Sequence, residues 1–448
     1  MSKIAIALLS ISTGVLTPGP SQSQSSNPRY RLSELIDKAT SLNAEIGEAR
    51  WRLRKAQARH RQALGSRILP RLRLSSESGL IPEAEGDIFN PPADTTGVRP
   101  LGLFTRAELE FAQPLYAFGK FGSLMRAVQA SVAVEEAALD ERTLAVVFET
   151  KELYYGLLLA RDLQDLATRL VDQLEERRME FQDNPDLSLA NEYKLRLALV
   201  ALRQQVLEAK SNAELARHAL AWKVGLADSD SLFLAAEWLE PEVPALPALE
   251  DLVSHALATR PDWRRLQAGK KARSSLRNAA QRSYYPEIFL GGGIRYAIAP
   301  HRTDQHSPFV VDNFNYFNGG VFLGIRQSFE WSMLRGELDQ ARADYRELVE
   351  KERGASQGIR VDVGRAYSRF TVAERGLETA RERRKLTREW LKLAKEEQEF
   401  DPSQIKELVT AYEAWAQQEQ EYLEAIYRFN ISLAQLERTV GGTDLSQK

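Results

Sequence analysis

The chain has 448 residues, enough for several ordinary domains, yet no stretch between its long periodic segments is rich enough in breaking residues to separate them cleanly. Its 60 basic and 62 acidic residues leave a net charge of -2, which offers no electrostatic footprint for nucleic acid. There is no cysteine, which excludes disulfides, thiolate metal sites, a cysteine nucleophile and a lipid-modified N-terminal cysteine.

Lys3 followed by the apolar run Ile4 to Leu16 has the form of a secretory signal and is too short to span a bilayer as a helix. No A-x-A cleavage site is visible, so processing is placed loosely near Ser21 to Ser26, and residues 1–26 are read as signal peptide and flexible N-terminus. An uncharged run directly behind a lysine favours this over a disordered tail.

A helical stretch from Leu32 is expected to end at Pro70, after which Arg71 to Ser76 alternates in the manner of a strand. The loop Leu80 to Leu103 follows, with Pro82, Pro91, Pro92 and Pro100, and then a second strand over Ala107 to Gln113. That strand puts Ala107, Leu109 and Phe111 on one side and Glu108 and Glu110 on the other. No proline lies between Pro114 and Pro185, which allows a helix of about 60 residues, on the order of 90 Å long. From Leu139 every seventh position is apolar (Val146, Leu153, Ala160, Ala167, Leu174, Phe181), the period of coiled-coil packing. The break Gln182-Asp183-Asn184-Pro185-Asp186 turns the chain, and the returning helix is expected to end at Val224-Gly225, where glycine can supply a left-handed cap.

After a joint at Trp238 to Pro247, the chain says the same thing again. Leu35, Ala39 and Ala63 precede Leu252, Ala256 and Ala280 by 217 positions, and Tyr154 and Ala160 precede Tyr367 and Ala373 by 213. A helix from Leu249 to Pro286 leads to a strand with Ile288, Leu290, Ile294 and Tyr296 on one face and Gly291 and Gly293 opposite. The loop Ala299 to Tyr316 leads to a strand with Val321, Leu323 and Ile325 on one face and Gly324 and Arg326 on the other. Between Pro308 and Pro402, Ile359, Ala366, Ala373, Ala380, Thr387 and Ala394 form one heptad row. Val363, Phe370, Leu377 and Leu391 form the next, interrupted by Arg384. The second break is Phe400-Asp401-Pro402-Ser403, with Ser403 as N-cap of a helix that runs to Val440-Gly441. The chain thus divides into a first repeat, 27–240, a second, 241–442, and a tail, 443–448.

Four segments alternating at a period of two, and joined in pairs by long loops, approach the 9 to 11 residues that a tilted membrane strand needs. Two hairpins cannot close a barrel and an open edge in lipid is not viable, so other copies must complete the sheet if it lies in a membrane. Tyr284 and Tyr285 beside Pro286, with Phe309, Phe314 and Phe317, fit an interfacial aromatic belt or ordinary corner packing. The runs Glu175 to Arg178 and Arg381 to Lys385 read as solvated helix faces. His301 and His306 lack a carboxylate or cysteine frame, and Gly291-Gly292-Gly293 leads into more strand, so neither a metal site nor a phosphate cradle is expected.

The stretch Phe111-Ala112-Gln113-Pro114-Leu115-Tyr116-Ala117-Phe118-Gly119-Lys120, with Ala63 to Pro70 before it and Ala411 to Gly441 closing the second copy, resembles the TolC-like outer-membrane efflux proteins. The resemblance covers about Leu32 to Gly442. It implies a mainly α fold with a small β part: duplicated long α-helical hairpins forming a trimeric α-barrel, joined to a 12-stranded transmembrane β-barrel with four strands per subunit. It further implies a homotrimer in outer-membrane lipid with a periplasmic helical tunnel, served by a periplasmic adaptor protein and an inner-membrane transporter. Such a protein is a passive exit duct of a tripartite efflux or type I secretion system, with no cofactor and no bond chemistry. The alternative is a periplasmic coiled-coil adaptor or scaffold without a barrel.

Tunnels of this family often narrow at acidic rings just after the second tip turn. Glu407 matches one such position and Thr410 occupies the next, which makes them the candidate periplasmic gate, with one acidic ring. The tip turns, Asn184, Pro185, Asp401, Pro402 and Ser403, are the candidate docking points for partners and lack the glycine common there. Gln327-Ser328-Phe329-Glu330-Trp331 stands where family members often keep a proline, so the second strand-to-helix corner is expected to differ in shape from the first.

Overall fold

Each proline-free run carries one long unbroken helix. The computed structural model describes residues 29–443 and 445, apart from 88, 92–98, 183–188, 245, 306, 308 and 401–404. The signal segment and the docking candidates Asn184, Pro185, Asp401, Pro402 and Ser403 lie outside the described residues. In the first half, β1 (Arg29–Tyr30), α1 (Leu32–Leu42) and α2 (Ala44–Ile68) precede β2 (Arg71–Pro82) and β3 (Leu101–Tyr116). The long hairpin α3 (Lys120–Gln182) and α4 (Leu189–Lys223) follows, then the short β4 (Phe233–Leu234). The second half repeats the order with α5 (Leu249–Thr259), α6 (Pro261–Arg282), β5 (Glu287–Ile298), β6 (Tyr316–Arg326), α7 (Trp331–Phe400) and α8 (Ile405–Val440). At 63 and 70 residues, α3 and α7 extend about 95 and 105 Å.

The heptad rows face inward, with Val146 and Leu174 of α3 and Ile359, Ala366 and Ala394 of α7 buried, and buried positions correspond between halves. Val146 and Ile359, Thr150 and Val363, and Leu157 and Phe370, each pair 213 apart, are all buried. So are Leu377 and Leu391 of the same α7 row. Phe370 is fully buried and meets Phe429 of α8 at 5.3 Å between ring centres, so its truncation to alanine would cost about 3 to 5 kcal/mol. Leu35 and Leu252, and Ala39 and Ala256, are also buried equivalents. The ends match as well. Gly225 (φ 74°) and Gly441 (φ 104°) are left-handed, and each closes its helix with paired bonds: Leu226 N–H to Ala221 O at 2.9 Å, and Gly442 N–H to Glu437 O at 2.8 Å.

Two expectations need correction. The helix expected from Leu32 to Pro70 is broken at Asn43, whose extended backbone starts α2 and whose side chain accepts the Glu45 N–H at 3.0 Å. Its counterpart breaks at Arg260, because Pro261 at the first position of α6 disfavours helical geometry in the residue before it. The joint between the halves is tied to both long hairpins. Leu239 is buried and its N–H donates to Asp162 of α3 at 2.9 Å, while Asn430 of α8 accepts the Glu242 N–H at 3.0 Å and donates to Glu240 O at 2.8 Å. Burial pushes the Asp162 carboxyl up, against the Leu239 hydrogen bond that favours its charged form. A parallel pairing of β1 with β4, too short to show as periodicity, ties the segment before α1 to this same region.

Candidate conduit and gate

The four long strands form one antiparallel sheet in the order β2-β3-β5-β6, with β2 and β6 as free edges. Register assigns every side chain a face. Leu72 pairs with Phe111, Leu74 with Leu109, Leu290 with Leu323 and Ile288 with Ile325, and Leu109 pairs with Ile294, so these residues share one apolar face. Leu72, Leu74, Leu323 and Ile325 are at least two-thirds exposed, an apolar surface that none of the described residues covers. The opposite face is charged: Glu77 meets Arg106 at 2.5 Å and Glu108 meets Arg295 at 2.8 Å, with Arg73 across from Glu110. Among the described residues no helix is long and apolar enough to cross a membrane.

The motif from Gln113 to Lys120 builds the first corner between strand and helix. Phe118 (φ 49°) and Gly119 (φ 84°) are left-handed, and a Cβ on Gly119 would lie 2.7 Å from the Arg282 guanidinium. Arg282 donates to Gly119 O at 2.9 Å and to the buried Ser123 Oγ at 2.8 Å, and Lys120 pairs with Glu287 at 2.8 Å. Phe118 stacks on Tyr285 at 5.3 Å and meets Tyr116 edge-on at 4.9 Å. The second corner differs, as expected from its missing proline. Residues 327–331 hold no left-handed position, and the turn is fixed by Gln327 donating to Tyr284 O at 3.1 Å and by Tyr284 stacked on Trp331 at 6.0 Å. Tyr284 and Tyr285 therefore pack the corners, while Tyr116, Phe118, Tyr285 and Trp331 stay exposed enough to form a girdle at the helix-side rim. Phe309 and Phe314 are in the loop at the sheet's far end, where Phe314 meets Phe104 edge-on at 5.7 Å. His301 rests against Gly102 there, and its partner in the sequence reading, His306, lies outside the described residues.

At the other end, Glu407 and Thr410 are exposed in the first turns of α8. The Glu407 carboxylate is held across the hairpin by α7, accepting the Trp390 indole N–H at 3.2 Å. Trp390 and Trp415 pack against a small apolar cluster, Leu391, Ala394, Leu408, Ala411 and Tyr412. Sequence reading missed a second polar element nearby. Arg384 does not lie on a solvated face: its Nε donates to Glu419 at 2.8 Å, Arg388 donates to the same carboxylate at 2.6 Å, and Trp415 adds a third bond at 3.1 Å. Burial pushes the Glu419 carboxyl up, but the two guanidiniums outweigh it and hold it below the usual range. The available signal was position, since Arg384 and Glu419 lie equally far from the Asp401-Pro402 break and must face each other in an antiparallel hairpin.

The profile of the family described as outer membrane efflux protein matches residues 35–178 and 252–442. No curated protein sequence matches significantly. Several solved structures share the fold. The outer-membrane channel OprN superposes with a TM-score of 0.74 at 18% identity, over 97% of this chain and 99% of that one. The outer membrane protein VceC of Vibrio cholerae gives 0.72 at 19% identity, over 92% and 96%. The MtrE outer membrane channel of Neisseria gonorrhoeae, in its open state, gives 0.73 at 17% identity, over 95% and 94%.

Proposed function

The chain belongs to the outer membrane efflux protein family, and from that membership we propose that it is the outer-membrane exit duct of a tripartite efflux or type I secretion system. It conducts substrates passively to the exterior, from the periplasm or from an inner-membrane transporter, through a periplasmic helical tunnel continued by a β-barrel. The observation that carries this reading is the sheet. An apolar face that nothing covers, a charged face behind it and two unpaired edges make sense only when the sheet closes with others in lipid. A periplasmic adaptor without a barrel would leave the same leucines in water.

Closure requires copies, and the copies are three when each gives four strands to a barrel of 12. Supporting a homotrimer, α4 exposes Tyr193, Leu197, Val200, Leu207, Leu215 and Trp222, and α7 exposes Val361, Val372, Leu386 and Leu393, at spacings that fit helix-to-helix seams between subunits. In this assembly the tip turns meet a periplasmic adaptor protein and the inner-membrane transporter, and Glu407 with Thr410 narrows the tunnel mouth. The test is recovery of a heat-stable trimer from outer-membrane detergent extracts that conducts ions in planar bilayers. A protein found only as a periplasmic species without conductance overturns the duct in favour of the adaptor.

A further inference from the structure

The charged face of the sheet breaks its own pattern at the helix-side end. Alternation puts Phe289 and Phe322 on the same face as Arg295 and Glu108, where a water-filled lumen calls for polar side chains. Each ring fills the space over a glycine of the facing strand: a Cβ built on Gly291 would come within 2.8 Å of the Phe322 ring, and one on Gly324 within 2.5 Å of the Phe289 ring. The rings meet edge to face at 6.1 Å, Phe322 remains 57% exposed, and the Arg326 guanidinium lies 4.7 Å from the centre of the Phe289 ring. The charge on this face is unbalanced, with Arg326 at the pad and Arg71 and Arg73 on β2 across the sheet. Glu287 is taken by Lys120, whereas Arg326, Arg71 and Arg73 carry no ion pair among the described residues, leaving Glu110 as the one unpaired carboxylate on these rows.

We propose that this pad is a contact site in the lumen for cargo that combines a planar apolar ring with a negative charge, an aromatic carboxylate or sulfonate. The proposal rests on the duct reading, which makes the charged face a lumen and repeats the pad three times around the mouth where tunnel gives way to barrel. Ring stacks on ring, and the Arg326 guanidinium beside it takes the anionic group. Glycine on the facing strand lets each ring sit close against the wall, one edge-on to the other.

The test uses the full-length channel in planar bilayers, with 2-naphthalenesulfonate or the cation N-methylquinolinium added on the helix side. The sulfonate is expected to block the current at lower concentration than the cation. Phe322→Leu, which keeps an apolar cover but removes the ring, and Arg326→Gln, on the exposed edge strand, are each expected to weaken the sulfonate block about fivefold in intact trimers. Equal block by both probes, or sulfonate block unchanged in both variants, would show that the rings only cover glycine and would overturn the proposal alone. Trimers that do not conduct at all overturn the duct reading and the pad with it.

Discussion

Arg384 and Glu419 meet at 2.8 Å across the α7–α8 hairpin, where the apolar row Val363, Phe370, Leu377 would otherwise run on without interruption. A uniform seam of this kind admits slippage by whole heptads, and one buried polar pair restricts it to a single register. The Glu419 side chain is only 7% exposed, and Arg384 also packs over the Tyr422 ring at 4.2 Å, so the pair sits within the seam and not beside it. Register in this hairpin fixes how α8 presents Glu407, twelve residues nearer the tip.

Glu419→Gln leaves two guanidiniums without their anion and is expected to destabilise the hairpin by about 1.5 to 3 kcal/mol, the range for hydrogen bonds to charged groups. Because the carboxyl is held below its ordinary value of 4.5, its contribution is fully present above that pH and is lost as pH falls through the lowered folded value. Denaturant unfolding of the detergent-solubilised protein from pH 7 downward should show the difference between parent and variant shrinking below about 4.5. A constant difference across that range would assign the loss to packing and not to the carboxylate.

Leu290 and Leu323 face each other on the apolar side of β5 and β6. Arginine at either is expected to cost about 2 to 4 kcal/mol near the bilayer midplane, whereas Ser75→Arg, on the charged face across from Glu108, is expected to be tolerated. The amount of protein inserted in the outer membrane reads this directly. Equal defects at both kinds of site would refute the assignment of faces.

The repeat, the long hairpins and the strand faces are legible in the sequence because each rests on a period that runs for many residues, seven for the seams and two for the strands. What the sequence hides lacks such a period. The breaks at Asn43 and Arg260 fall where buried Leu35, Ala39 and Ile46, and Leu252 and Ala256, keep helical spacing on either side. The bolting of the joint by Asp162 and Asn430 depends on contacts between residues 77 and 188 apart, which local pattern does not carry. At the gate, Glu407 could be placed on the first turn of α8, but its bond to Trp390 could be seen only with the hairpin register in hand.

Since β2 and β6 are both unpaired, closure needs further copies, and the proposed barrel of 12 strands makes a trimer the expected assembly, read by native mass spectrometry from detergent. Leu386→Glu, on the exposed stripe of α7, should lower the trimer fraction without unfolding the subunit, because Leu386 is 59% exposed in one copy. A folded monomer inserted in a membrane would rule out closure across subunits.

The last expectation concerns the tunnel mouth. In the proposed trimer, threefold symmetry would bring three copies of Glu407 toward the axis where the hairpins converge, and like charges in a narrow mouth attract cations. Glu407→Gln is therefore expected to lower cation preference and to weaken block by multivalent cations in single-channel recordings, with the trimer intact. The bond from Trp390 at 3.2 Å holds the carboxylate in place, so Trp390→Phe, which keeps the apolar packing and removes the donor, should shift selectivity in the same direction by a smaller amount. If the reversal potential and the block are unchanged in Glu407→Gln, the side chain faces away from the pore and the narrowest ring lies elsewhere. If Glu407→Gln changes them and Trp390→Phe does not, the gate stands and the indole only packs.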